Sequence, residues 1–387
     1  MRREHTYAHR AVDVEAALGD PPRPRRRRAS SPPIRPKQIV IFGRSITSSW
    51  GNGHATTYRS LVRALADRGH EVLFVERDVP AYADHRDLTH PAYARTVLYA
   101  SLGEMRARFE SVVRDADLVI VGSHVADGID VGDWVQATAR GATAFYDLDT
   151  PVTLARLAAG DCAYLRADQV PGYQLYLSFT GGPTLARLER DFGAPRARAL
   201  HCSVDPDQLV PERRPRRWSI GYMGTYASDR QPALERLLLE PARRCPAHTF
   251  SVAGPKYPAS VEWPPNVERI DHLAPAEHGA FYSRVAFTLN LTRGDMMQAG
   301  WSPSVRLFEA AACGAPIISD LWEGLDHFFE PGEEILVARH TDDILGWLRM
   351  PDDERRAIGA RARARVVASH SSTHRAIELE RYLGELG

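Results

Sequence analysis

The stretch Ser302–Leu336, SPSVRLFEAAACGAPIISDLWEGLDHFFEPGEEIL, reads as a helix, a strand and an acidic loop. Val305, Phe308 and Ala312 recur at helical spacing behind the start signal Ser-Pro-Ser. That places Ser302 and Ser304 at the mouth of the helix, Arg306 in its first turn and Glu309 one turn further in. A helix N-terminus presents free backbone N–H groups and a partial positive charge, which suits a diphosphate, and Arg306 adds a charge-assisted contact. Glu309 is placed to accept both hydroxyls of a ribose.

Working outward, the chain alternates strand and helix twice over. Gln38–Gly43 is an apolar run ending in glycine, as a buried parallel strand does. Tyr58, Leu61, Val62, Leu65 and Ala66 then fall on one helical face, and Gly69 stops the helix. Glu71 to Glu76, Asp117 to Gly122, Thr143 to Asp147 and Tyr173 to Phe179 continue as strands, with a helix over Gly132 to Arg140. After a Pro- and Arg-rich run, Pro206 to Arg217, strands recur at Ser219 to Met223, Thr249 to Ala253, Phe287 to Leu291 and Pro316 to Ser319. Helical stretches at Pro232 to Arg244 and Ala276 to Arg284 separate them. The expectation is an α/β chain of two Rossmann-like, doubly wound parallel-sheet domains facing an interdomain cleft. Their bounds are 37–205 and 218–365, with a linker over 206–217, a basic tail over 1–36 and a final helix over 366–387 that can pack back on the first domain.

The pattern R-x-F-E-A-A-A-C-G-x-P from Arg306 to Pro316, followed by E-G-L-x-x-F-F-x-P-G-E-E from Glu323 to Glu334, resembles the CgeB-like (spore-maturation type) glycosyltransferases. More broadly the chain is similar to the GT-B glycosyltransferases, and the resemblance covers nearly everything from Gln38 onward. It implies a metal-independent transfer of a sugar from a nucleoside diphosphate donor, with uridine as the base and with Glu309 on the ribose. Retaining relatives carry a second glutamate eight residues before this one, where this chain has Trp301, so their stereochemistry does not carry over.

Further candidates follow strand ends, where open α/β sheets bind ligands. In the second domain Gly224 and Thr225 follow a strand and allow close backbone approach to a pyrophosphate, while Arg230 neutralises charge as the nucleotide departs. Lys256, one of the chain's two lysines, ends the next strand, and Asn290, Thr292 and Arg293 end another. In the first domain the loop from Ser48 to Arg59 carries Asn52, Gly53 and His54. It is a poor dinucleotide loop, because Thr56 replaces the third glycine, although Glu76 keeps a ribose role open. His54 is the candidate general base, since imidazole titrates near neutral pH. His124 occupies the corresponding loop after another strand. Asp147 and Asp149 form a D-x-D pair that spacing would allow to hold a metal, but the resemblance is to metal-independent enzymes, so no metal is expected and Asp149 is assigned to the acceptor. Thr180 and Gly181, in Ser178-Phe-Thr-Gly-Gly-Pro183, are expected to line the cleft.

Composition bounds the rest. The chain has 387 residues, 44% of them hydrophobic, and a formal net charge of zero, which favours a small-molecule partner over nucleic acid. No apolar run approaches a membrane span and no signal-peptide core follows the N-terminal arginines, so a cytoplasmic protein without integral membrane association is expected. Cys162, Cys202, Cys245 and Cys313 lie too far apart for a zinc motif. No cofactor beyond the sugar-nucleotide co-substrate is expected, and the acceptor is not specified. Two other functions stay open: a nucleotide-sugar epimerase of the same plan, and a non-catalytic binding protein of a spore or envelope that keeps the pocket.

Overall fold

The computed structural model describes residues 35–386, so most of the expected basic tail lies outside the described residues. Seven strands form the first sheet: β1 (Gln38–Gly43), β2 (Glu71–Arg77), β3 (Arg95–Tyr99), β4 (Leu118–Gly122), β5 (Ala142–Asp147), β6 (Leu175–Ser178) and β7 (Ala197–Ala199). Six form the second: β8 (Trp218–Met223), β9 (Phe250–Ala253), β10 (Val267–Ile270), β11 (Val285–Asn290), β12 (Ile317–Ser319) and β13 (Leu336–Val337). Their spatial orders, β3-β2-β1-β4-β5-β6-β7 and β10-β9-β8-β11-β12-β13, are the same doubly wound order used twice. All pairings are parallel. Each sheet therefore reverses its winding once, between β1 and β4 and between β8 and β11, and a crevice opens outside the strand ends at each reversal.

The central strands are legible because they are buried on both faces and read as unbroken apolar runs; the residues of β4 and β11 are all buried. The strands the sequence reading passes over are the edges. In β3 only Tyr99 is fully buried, and β10 carries Glu268 and Arg269, so neither shows an apolar run. The helix Leu102–Asp115 is likewise absent from the expected elements. The helix expected over Pro232 to Arg244 is broken into Gln231–Leu234, a π-turn at Glu235–Leu239 and Glu240–Arg244. Pro241 explains the break, since it lacks the N–H that would continue the α-helical ladder.

The chain ends in the helix Asp352–Arg365, a π-turn at Val366–His370 and the helix Ser372–Gly384. This last helix lies on His54–Asp67, the helix after β1. Glu380 accepts hydrogen bonds from Arg68 Nε at 2.5 Å and from His70 Nε2 at 2.9 Å, and Tyr382 donates to the Ala199 carbonyl at 2.8 Å. A single buried apolar cluster runs from Tyr58 and Leu61 through Leu307 and Phe308 to Leu379, so the two sheets and the returning helix share one core. That core fixes the cleft between the two winding reversals.

Candidate functional site

On the second domain, β8 delivers Gly224 and Thr225 to its reversal point. A side chain at Gly224 would put its Cβ 2.5 Å from the Tyr222 hydroxyl, so only glycine lets the turn close over that ring. Arg230 donates through Nη2 to the Thr225 carbonyl at 2.6 Å and thereby holds the loop. Arg306 leaves the first turn of the helix Val305–Ala312, donates to Asn290 Oδ1 at 2.9 Å and lies over the Tyr222 ring at 5.4 Å. Ser304 caps that helix, its hydroxyl accepting from the Arg306 backbone N–H at 3.3 Å. Among the described residues neither guanidinium has a carboxylate within 4.0 Å. Burial, reinforced by the charge of Arg306, pulls the Arg230 pKa down from its usual range. Arg230 Nε, Tyr222 Oη and Gln231 Oε1 are buried there without hydrogen-bond partners. Two cations and several idle polar atoms around a glycine turn make a site short of an anion.

Glu309 sits one turn into the same helix with its side chain 5% exposed. Oε1 lies 3.3 Å from His278 Nδ1, and the Tyr282 hydroxyl donates to Oε2 at 3.4 Å. Burial pulls the pKa of His278 down, but the charge of Glu309 and its hydrogen bond outweigh this and raise it. Both contacts are long for bonds to a carboxylate, so Glu309 keeps acceptor capacity for a ligand. Arg306, Glu309, Gly224 and Thr225 line one cleft with Asn52 and Gly53 of the first domain. Lys256 is exposed at φ 68°, outside the cleft that Gly254 and Pro255 line.

Ser302 and the first-domain loop meet each other across the domain boundary. Ser302 Oγ and Thr180 Oγ1 meet at 2.8 Å, and the Gly181 N–H donates to the Trp301 carbonyl at 2.9 Å. Their polar atoms are used in joining the domains. Trp301 itself stands at φ 48°, where its ring is clamped between Gly182 and Gly324. A Cβ on either glycine would come within 2.5 Å of the indole.

On the first domain, the loops after β1, β4 and β5 bring His54, His124 and Asp149 together. His54 Nε2 lies 3.2 Å and His124 Nε2 3.0 Å from the same oxygen, Asp149 Oδ2. Burial pushes the Asp149 carboxyl up, but the two imidazoles beside it hold it far below the usual carboxylate range. Asp147 does not share this position. Its oxygens accept from Tyr176 Oη at 2.6 Å, Thr153 Oγ1 at 2.8 Å and the Asp149 N–H at 3.1 Å, and burial raises its pKa. The D-x-D pair is thus divided between an interior scaffold residue and a partly exposed one held by two imidazoles. Asn52 is spent on structure, donating to the Ser45 and Ser48 carbonyls and accepting the His54 N–H at 3.2 Å. Glu76 likewise spends its carboxylate on Ser45, Ile46 and Thr47, which closes its ribose role. Tyr222, His278 and Tyr282 complete the site, and no motif in the sequence marks them.

Comparison with solved structures matches this arrangement over both domains. Sucrose-phosphate synthase from Thermosynechococcus elongatus superposes with a TM-score of 0.66 at 15% identity, over 90% of this chain and 99% of that one. The fold is GT-B. The α-glucosyltransferase AGT in complex with UDP gives a TM-score of 0.68 at 13% identity, and Anabaena HepE in complex with UDP and glucose gives 0.66 at 12%, each over 90% of this chain and all of the other. Residues 230–381 of the GT-B chain match the glycosyl transferase-like family, a span that contains Arg230, Arg306 and Glu309. No curated protein sequence matches. Among the described residues no helix is long and apolar enough to cross a membrane.

Proposed function

We propose that the protein is a glycosyltransferase of CgeB-like type, moving a hexosyl group from a uridine diphosphate sugar to a hydroxyl acceptor without a metal on the diphosphate. The observation that carries this reading is the pair of guanidiniums, Arg230 and Arg306, that lack carboxylate partners among the described residues around the Gly224–Thr225 turn. As the sugar leaves, negative charge grows on the β-phosphate, and fixed cations aimed at that place stabilise it more than they stabilise the bound donor. The first turn of the Val305–Ala312 helix adds backbone N–H groups to the same end. Glu309 anchors the ribose, with His278 and Tyr282 setting its rotamer. The UDP-bound state of two structural neighbours supports uridine.

The acceptor enters from the first domain, over Gly53 and the cluster of His54, Asp149 and His124, which receives its hydroxyl. The test is UDP release from UDP-glucose in the presence of a panel of hydroxyl acceptors. Release that depends on the acceptor and falls in Arg306→Ala supports transfer. A changed sugar nucleotide made without acceptor would mark an epimerase instead.

A further inference from the structure

The cluster on the first domain has the makings of a metal site. His54, His124 and Asp149 each offer one ligand atom, and the three atoms lie within 4.8 Å of one another. Ligand atoms about 2.0–2.1 Å from a single ion stand roughly 2.9–3.4 Å apart for bond angles between 90° and tetrahedral. The separations of 3.2 Å and 3.0 Å from Asp149 Oδ2 to the two Nε2 atoms fall in that interval.

Hydrogen bonding alone leaves the cluster incomplete. Both imidazoles converge on one carboxylate oxygen, yet His124 Nε2 is buried without a hydrogen bond, its ring misaligned for donation despite the 3.0 Å approach. His124 is also held at φ 59°, a left-handed conformation that costs energy for a residue with a Cβ. An ion between the three would give every ligand atom a partner. The side chains are 11%, 21% and 20% exposed for His54, His124 and Asp149, so the cluster lies near the surface and not in the deep core.

We propose that His54, His124 and Asp149 bind one divalent transition-metal ion. Two imidazoles and one carboxylate favour Zn2+, Co2+ or Mn2+ over Mg2+ or Ca2+, which prefer all-oxygen shells. The cluster belongs to the first domain and Arg230 and Arg306 to the second, so the proposal leaves the diphosphate to the arginines. The ion would bind and polarise the acceptor hydroxyl oxygen. That role rests on the transferase reading above, but the binding does not.

The experiment is a Co2+ titration of the full chain after EDTA treatment and desalting, followed by visible absorption, with no nucleotide present. The expected result is a visible band saturating at one ion per chain, displaced by Zn2+, with apparent affinity at least about tenfold weaker in both His124→Ala and Asp149→Asn. Thermal unfolding of each variant confirms folding, and UDP binding is measured separately so that loss of the donor site is told apart from loss of the metal. Absence of a band in the wild type overturns the proposal. So does a band that both folded variants retain unchanged, which would place the ion elsewhere, for example on His5 and His9 of the N-terminal segment.

Discussion

His278 Nδ1 stands 3.3 Å from Glu309 Oε1, so the residue proposed to hold the ribose is itself held by an imidazole from the helix Pro275–Arg284. The raised pKa of His278 gives this pairing a pH signature. A group whose folded pKa lies above its unfolded value near 6.5 contributes stability that is complete below that value and is lost as pH rises through the folded pKa. Denaturant unfolding of wild type and His278→Asn from pH 6 to 9 should therefore show a stability difference that shrinks as pH rises. A difference that is flat or grows would refute the pairing.

Arg306 is expected to act more on the donor than on folding, because among the described residues it has no ion-pair partner to lose. Arg306→Ala should weaken UDP binding by about 1.5–3 kcal/mol, the worth of a hydrogen bond to a charged group. Calorimetric titration measures this, with uridine as the control whose affinity should change little.

Glu380 ties the last helix to the first domain through Arg68 and His70, with its side chain 3% exposed and that of His70 fully enclosed. Removing the carboxylate leaves both partners without their counter-charge. Glu380→Ala should cost about 3 kcal/mol in urea unfolding, and more than Glu380→Gln, which keeps the shape and an acceptor oxygen.

Gly182 stands at φ 57° with the Trp301 ring 2.4 Å from where a Cβ would lie. Gly182→Ala should destabilise the protein by about 1–3 kcal/mol and separate the Thr180 and Ser302 hydroxyls. Pairing it with Trp301→Ala, which removes the obstructing ring, should recover part of that loss in a double-mutant cycle.

What the sequence discloses follows burial. Strands enclosed on both faces, such as β1, β4 and β11, announce themselves as apolar runs, and the helix carrying Arg306 and Glu309 announces itself through its cap and periodicity. Edge strands such as β3 and β10 do not, because half their residues face solvent or carry charge. At the site, His54, His124 and Gly224 are marked as candidates because they follow strand ends, with the family resemblance adding to the case for His54. The allotment of hydrogen bonds is not marked, since nothing local to Ser302 or Thr180 reveals that each is consumed by a loop 122 residues away. Likewise the two aspartates of Asp147-Leu-Asp149 look alike in sequence, and only the Tyr176 and Thr153 hydroxyls on one and the imidazoles on the other tell them apart.

The proposed donor site holds a nucleoside diphosphate by Glu309 and two arginines without ion-pair partners among the described residues, with no metal on the phosphates. Calorimetric titration of UDP, in EDTA, into wild type, Arg306→Ala and Glu309→Ala tests it most directly. The expected result is binding that EDTA leaves intact and that both substitutions weaken. Binding that disappears in EDTA, or that survives both substitutions undiminished, would contradict it.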